Sequence, residues 1–369
     1  MKRVIGCNSG YGAGGIGQHL AHMVAESRTA GHLGRYLAPQ CPEDDAQAQV
    51  VPAPRWAAYV QACPPVRWSP AWRAHIGNEA YDRALAAALP PPSSSSAAYM
   101  GFVGTSLRTF RAARAAGYDR LELIAANSHV DNVAARHADA ALQTGMHDTW
   151  LNTAQCRKTR AEYAAADAIY VHSEYVRQSF LEAGFPASRL IRTRLQPALR
   201  FQPPAERPAS DDVHVVYVGR LDATKGLPLL VDAFARWRHP RARLTLVGGW
   251  GTPAMRRYMQ AALRRDSRIT VAPGDPLPVL HTADVFVHPS FEDGFGYAPA
   301  EALACGVPVI ATADTGMAEY LVDGVNGYVV PTGDVDALVA HLDAVAARPL
   351  AATRSLWPEP RPQPVLAAG

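Results

Sequence analysis

One alternation of strand, glycine turn and helix runs along the first half of this chain, breaks at a proline-rich stretch, and starts again. That repeat limits the open folds more than any other feature. In the first half, Val4-Ile5-Gly6-Cys7 reads as a short apolar strand and Gly10 to Gly17 as a loop, while Leu20, Met23 and Val24 recur at helical spacing. Further strands are expected over 99–103, 121–125 and 168–171, and helices over 107–116, 157–166 and 175–183. The second half restarts with a strand over 213–218, a loop from Gly219 to Gly226 and a helix over 229–237. Strands over 243–247, 285–287 and 307–310 follow, with a last helix over 334–347. Strands that alternate with helices form parallel sheets covered on both faces. The expected class is therefore α/β, with two Rossmann-like lobes facing across a cleft.

The boundaries follow from composition. Residues 1–196 form the first lobe, 197–212 a linker rich in proline and charge, 213–347 the second lobe, and 348–369 an irregular tail. Residues 39–100 are broken by prolines and by the serines at 93–96, and are expected to hold loops, short helices and an inserted hairpin. A formal net charge of +3 over 369 residues argues against nucleic acid as a partner. The five cysteines are scattered and form no Cys-x-x-Cys pair, which argues against a zinc site or a disulfide framework. No apolar run resembles a signal peptide or reaches the ~20 residues of a spanning helix. The expected location is cytoplasmic, with peripheral membrane contact left open.

Ligands in open parallel sheets lie beyond the carboxyl ends of the strands. Two clusters fall there. Gly219-Arg220-Leu221-Asp222-Ala223-Thr224-Lys225-Gly226 places two cations in a glycine-bounded loop after a strand. Cations there stabilise charge that builds on a leaving phosphate. At ~4 Å and an effective dielectric near 20, each has a Coulomb term of about 4 kcal/mol before desolvation. The second cluster runs from Ser290 to Gly306, with Gly294-Phe295-Gly296 ahead of a helix that Pro299 is expected to open and Gly306 to stop. Amides at a helix start attract anions. Glu301 is expected in the first turn, where a carboxylate can accept from both hydroxyls of a ribose.

These residues resemble the retaining glycosyltransferases of family four. That family is marked by Glu, seven residues, Glu around a Gly-Phe-Gly turn, preceded by a Gly-Arg-Leu...Lys-Gly loop. The likeness extends to Gly306-Val307-Pro308-Val309-Ile310, to Glu319...Asp323-Gly324...Asn326-Gly327, and to Ala166-Asp167-Ala168-Ile169...His172-Ser173-Glu174-Tyr175. The resemblance implies a GT-B fold and hexose transfer from a nucleoside diphosphate sugar to a hydroxyl of a glycan, lipid or natural product. It implies retention at the anomeric carbon, no cofactor and no metal. Arg220 and Lys225 would hold the diphosphate, Glu301 the ribose, and the main chain of Gly219 and of Gly294, Phe295 and Gly296 the phosphate and sugar. Gly15 and Gly17 match the N-terminal glycine loop, and His129 matches a histidine that lines the transferred sugar. The first Glu of the pair falls at position 293, where this chain has Asp293; either the sugar sits differently or Glu292 substitutes. A GT-B sugar-nucleotide epimerase and a non-catalytic sugar-nucleotide-binding partner of an active transferase are the rival readings.

Other signals are weaker. Gly12 to Gly17 fits G-x-G-x-x-G, but no acidic residue stands at the end of the next strand, around Gly34 to Ala38, where a dinucleotide ribose needs one. Asp131, His137 and Asp139 are read as ordinary polar residues of a helix rather than metal ligands. Arg108, Arg111 and Arg114 share a helical face, read first as solvated and otherwise as a contact for anionic lipid heads. No Gly-x-Ser-x-Gly elbow is present.

Overall fold

The computed structural model describes residues 1–93, 96–208, 210, 212–347 and 354–358. Two all-parallel sheets organise them. The first contains β1 (Lys2–Gly6), β2 (Leu33–Ala38), β3 (Ala48–Val50), β4 (Ala97–Phe102), β5 (Arg120–Ile124), β6 (Ala168–Val171) and β7 (Leu190–Arg192), in the order β3-β2-β1-β4-β5-β6-β7. The second contains β8 (Val213–Val218), β9 (Ala242–Val247), β10 (Ile269–Ala272), β11 (Val285–His288), β12 (Val309–Thr312) and β13 (Gly327–Val330), in the order β10-β9-β8-β11-β12-β13. The expected α/β class with two Rossmann-like lobes is thus what the chain adopts.

Central strands are covered by helices on both faces and so read as near-continuous apolar runs. Within β8, Val215, Val216 and Tyr217 are almost fully buried. Burying side chains of this size contributes roughly 1.5–3 kcal/mol each. His214 sits among them at little cost because both ring nitrogens are partnered, Nε2 by Thr245 at 2.8 Å and Nδ1 by Thr282. Burial lowers its pKa to about 4, which keeps it neutral.

The order of each sheet reverses once, between β1 and β4 in the first and between β8 and β11 in the second. The glycine loop follows β1, and the two expected motifs of the second half follow β8 and β11. All three therefore emerge at a topological switch point, where such sheets leave a crevice.

Between 39 and 100 the expected hairpin is replaced by the short parallel strand β3 and the helices Arg55–Ala62 and Pro70–Ala88. The longer helix starts at Pro70 because Ser69 Oγ accepts from the Trp72 amide at 3.3 Å. Of the arginine series on helix Leu107–Ala116, only Arg111 is exposed without an acidic partner among the described residues. Arg108 pairs with Glu79 at 3.1 Å and Arg114 pairs with Asp167. Most of the expected tail lies outside the described residues. Its segment 354–358 docks on the second lobe, where the Leu356 amide donates to Leu303 O and the Trp357 ring stacks on Tyr320 at 4.8 Å. Trp357 Nε1 also donates to Gln196 Oε1 at 2.7 Å, tying this segment to the last residue ahead of the linker.

The lobes touch through polar contacts around the cleft. Asp148 of the first lobe accepts from the Ala223 amide at 2.9 Å and from Thr252 Oγ1 at 2.8 Å. Arg192 pairs with Glu319 at 2.8 Å, and Ser173 Oγ donates to Gly294 O at 2.6 Å.

Candidate active site

A cavity of about 760 Å³ lies between the lobes. Its walls include Gly12, Gly14, Gly15, Gln18 and Asn127 from the first lobe, and Gly219, Arg220, Lys225, His288, Asp293, Phe295, Gly296 and Glu301 from the second. The cleft therefore collects side chains more than 280 positions apart in sequence, as the Gln18–Glu301 pair illustrates.

The loop after β8 is held by its own polar groups. Asp222 Oδ1 accepts from Thr224 Oγ1 at 2.8 Å and from the Lys225 amide at 3.0 Å. The Arg220 guanidinium pairs with Asp222, yet its side chain stays 47% exposed toward the cavity. Gly226 closes the loop with φ +69°, and a Cβ there would lie 1.8 Å from Pro289 O. Only glycine lets the two motif loops pass this closely. Lys225 Nζ reaches across that junction to Glu292 O at 3.1 Å and to Asp293 Oδ2 at 2.9 Å.

Asp293 and Glu292 have separate tasks. Asp293 faces the cavity, with His288 Nε2 3.3 Å from its Oδ2. Burial works against its ionisation, but the Lys225 ammonium and His288 outweigh that and hold the carboxyl well below the usual carboxylate range. Glu292 is buried and turned toward the first lobe. It accepts from the Ser128 amide at 2.9 Å and from Asn127 Nδ2 at 2.8 Å. Its oxygens are committed to that junction, and of the two carboxylates it is Asp293 that lines the cavity. Burial raises the pKa of Glu292 against the pull of Lys225.

Gly294 is where the second lobe presses on the first. A Cβ at this position would lie 2.0 Å from Ala126 O. Gly296 follows with φ +84° and precedes the helix Tyr297–Ala304. That helix begins two residues before Pro299, so Glu301 falls on its second turn rather than its first. Glu301 is nearly buried, and its Oε1 accepts from Gln18 Nε2 at 2.9 Å. Burial pushes its carboxyl up to about 7 despite that bond and the nearby Arg200.

Not every expected residue reaches the cavity. Gly15 lines it, next to Tyr297. Gly17 lies behind the loop, where a Cβ would stand 2.1 Å from Gly10 O, so it shapes the turn rather than the wall. His129 is the clear correction. It is the N-cap of helix Val130–Thr144, its Nδ1 accepts from the Asp131 amide, and its ring is enclosed by Tyr163, Phe180 and Phe185. Burial lowers its pKa, and it is not among the residues lining the cleft. The resemblance implied a contact with the transferred sugar; here the side chain caps a helix.

Sequence reading missed His288, Gln18, Asn127 and Trp150. His288 ends β11 and carries no motif of its own; only its place at the carboxyl end of a central strand marks it. A second cavity of about 160 Å³ opens off the first lobe's side of the cleft, sharing Ile16, Ala126, Asn127 and Trp150 with it. Three carboxamides, Asn8, Asn78 and Asn127, and the rings of Phe102, Trp150 and Tyr163 contribute to its wall. Asn8 Nδ2 donates to Asn78 Oδ1 at 3.2 Å. Among the described residues, no Asp, Glu, Lys or Arg lines it.

Among the described residues, no group of three His, Cys, Asp or Glu stands close enough to hold a metal ion. Asp131 pairs with Arg160, Asp139 pairs with Arg136 at 3.1 Å, and His137 Nδ1 lies 2.8 Å from Thr149 Oγ1. No helix among these residues is long and apolar enough to cross a membrane.

Comparison with known proteins agrees with this geometry. Residues 200–355 match the family model of Glycosyl transferases group 1. Glycogen synthase of Mycobacterium tuberculosis is 30% identical over 228 residues, covering 58% of this chain and 55% of that protein. O-antigen chain mannosyltransferase B of Escherichia coli is 30% identical over 199 residues, covering 48% of this chain and 51% of that protein. The chain thus spans about half the length of the curated relatives it matches. Among solved structures, sucrose-phosphate synthase from Thermosynechococcus elongatus superposes with a TM-score of 0.72 at 19% identity, covering 96% of this chain and 92% of that one. Anabaena HepE in complex with UDP and glucose gives 0.63 at 15% identity, covering 96% of this chain and 92% of that one. The similarity to Glycosyl transferases group 1 thus covers residues 200–355, and the chain as a whole shares the two-lobed GT-B fold of these solved structures.

Proposed function

We propose that this chain is a retaining glycosyltransferase that moves a hexose from a nucleoside diphosphate sugar to a hydroxyl acceptor, without a metal ion. One observation carries the reading: Arg220, Lys225, Asp293 and Glu301 line a single inter-lobe cavity at the switch point of the second sheet. The relatives' names point to the same chemistry, and one solved neighbour of the same fold holds UDP and glucose.

Arg220 forks onto the diphosphate and Lys225 adds a compact charge, which is the neutralisation a divalent cation supplies elsewhere. Glu301 exchanges its bond to Gln18 for the ribose hydroxyls. Asp293, kept ionised by Lys225, accepts from hydroxyls of the donor sugar. The bond between the anomeric carbon and the phosphate oxygen breaks, and the acceptor oxygen bonds to that carbon on the same face. The acceptor proton passes to the departing diphosphate oxygen. Products are the glycoside and the nucleoside diphosphate. Catalysis then rests on positioning and on stabilising the leaving group. The acceptor hydroxyl comes from the carboxamide-lined cavity, which joins the cleft at Asn127.

The test incubates the protein with sugar nucleotides of uracil, guanine, adenine and thymine, with and without a panel of hydroxyl acceptors, in the presence of a chelator. Diphosphate release that depends on acceptor, with an axial donor bond giving an axial product, supports the reading. A new sugar nucleotide formed from donor alone points instead to epimerisation, and binding without release to a non-catalytic partner.

A further inference from the structure

Residues 46–78 contain Arg55, Arg67 and Arg73 and no Asp or Glu. In the fold they form helix Arg55–Ala62, a short turn at Val66–Trp68 and the start of helix Pro70–Ala88. This segment also carries a concentration of exposed apolar rings. Tyr59 is 75% exposed, Trp68 66%, Trp72 47% and Trp56 45%, whereas the strand rings Tyr36, Tyr99, Phe102, Tyr170, Tyr217 and Phe286 are buried. All three arginines are exposed, and among the described residues none of them pairs with an acidic group. Arg67 instead lies over the Trp68 ring at 5.1 Å.

An exposed cluster of large rings is uncommon on a monomer's surface and marks a contact. Indole and phenol rings favour the boundary between acyl chains and headgroups, and arginines there meet anionic lipid phosphates. A second copy of this chain fits less well, because a two-fold contact sets the same patch against itself and brings the arginines together. We propose that this face docks on an anionic lipid surface. Its arginines are a separate set from those of helix Leu107–Ala116, of which Arg108 and Arg114 are paired with acids. Helix Pro70–Ala88 carries both Trp72 and, six residues on, Asn78 of the carboxamide cavity. At 1.5 Å per residue that is about 9 Å along the helix axis. Docking therefore holds the first lobe's cavity close to the lipid boundary.

The experiment is co-sedimentation of the full chain with vesicles of phosphatidylglycerol and phosphatidylcholine in equal parts, and with phosphatidylcholine alone. No donor is needed, so the result is independent of the proposed sugar transfer. We expect binding to the anionic vesicles only, weakened about tenfold both by Trp68→Ser with Trp72→Ser and by Arg67→Glu with Arg73→Glu. The variants are expected to keep the wild-type melting temperature and nucleotide binding. No sedimentation with anionic vesicles, or sedimentation unchanged in both variants, overturns the proposal. So does a wild-type dimer that either variant dissociates, since that makes the face a contact between copies.

Discussion

The second lobe's wall of the cleft is charged and contiguous in sequence, whereas the first lobe's wall is neutral and assembled from distant positions. Arg220 and Lys225 come from one eight-residue loop, and Asp293 and Glu301 from one turn and helix. Asn8, Asn78, Asn127 and Trp150 come from four separate loops and helices. The contrast fits the proposed division of labour. On that reading a diphosphate needs fixed countercharge, which this half supplies from two short segments. A neutral hydroxyl acceptor needs shape and hydrogen bonds, which scattered residues supply. The Glu292 junction and the Asp148 contacts hold the halves in register.

The comparison breaks first on charge. Replacing Arg220 and Lys225 together by Ala is expected to lower turnover by a thousandfold or more, and Lys225→Ala alone by about a hundredfold. Turnover against melting temperature checks it, because these exposed or half-buried side chains contribute little to the fold. Unchanged turnover in the double variant breaks the assignment of the charged wall.

Next comes Glu301, whose carboxyl is pushed up to about 7 from an ordinary 4.5. A raised acid favours the folded state while protonated, so its contribution is fully present below pH 4.5 and is lost as pH rises through about 7. Glu301→Gln removes that loss. The variant is expected to gain about 3 kcal/mol on wild type between pH 4.5 and pH 8, read from denaturant titrations at each pH. Parallel curves for the two proteins contradict a buried, protonated Glu301.

The neighbouring carboxylates sharpen the division further. Asp293→Ala is expected to lower kcat at least tenfold and, because it removes the Lys225 and His288 contacts, to lower the melting temperature modestly. Glu292→Ala leaves two first-lobe donors unpartnered at roughly 1–3 kcal/mol each, so it lowers the melting temperature more than Asp293→Ala does. The reverse pattern exchanges the two roles. The smallest effect belongs to the neutral wall: Asn78→Ala is expected to raise the acceptor KM several-fold, about 1 kcal/mol, without changing donor affinity.

The same contrast explains what was legible in the sequence. Arg220, Lys225, Asp293 and Glu301 stand out because each loop packs its chemistry into one short window after an apolar strand. Central strands were readable for the same reason, being buried on both faces. The edge strands β3, β7, β10 and β13 are three or four residues long and half covered, and left no periodic trace. Trp150 and the carboxamides carry no local pattern, since only the folded lobe brings them together. His129 lies five residues beyond β5 and caps the next helix, a role that the resemblance to a sugar-lining histidine did not indicate. Glu301 was displaced by half a turn because the helix starts at Tyr297, ahead of Pro299.

The most direct measurement is thermal stabilisation by UDP, GDP, ADP and TDP of the wild type and of the Arg220→Ala, Lys225→Ala double variant. A ligand at a hundred times its dissociation constant adds about 2.7 kcal/mol to the folded state. At least one of the four is expected to raise the melting temperature of the wild type and to leave the variant unmoved. No shift with any of them, or equal shifts in both proteins, would contradict a diphosphate site at the charged wall.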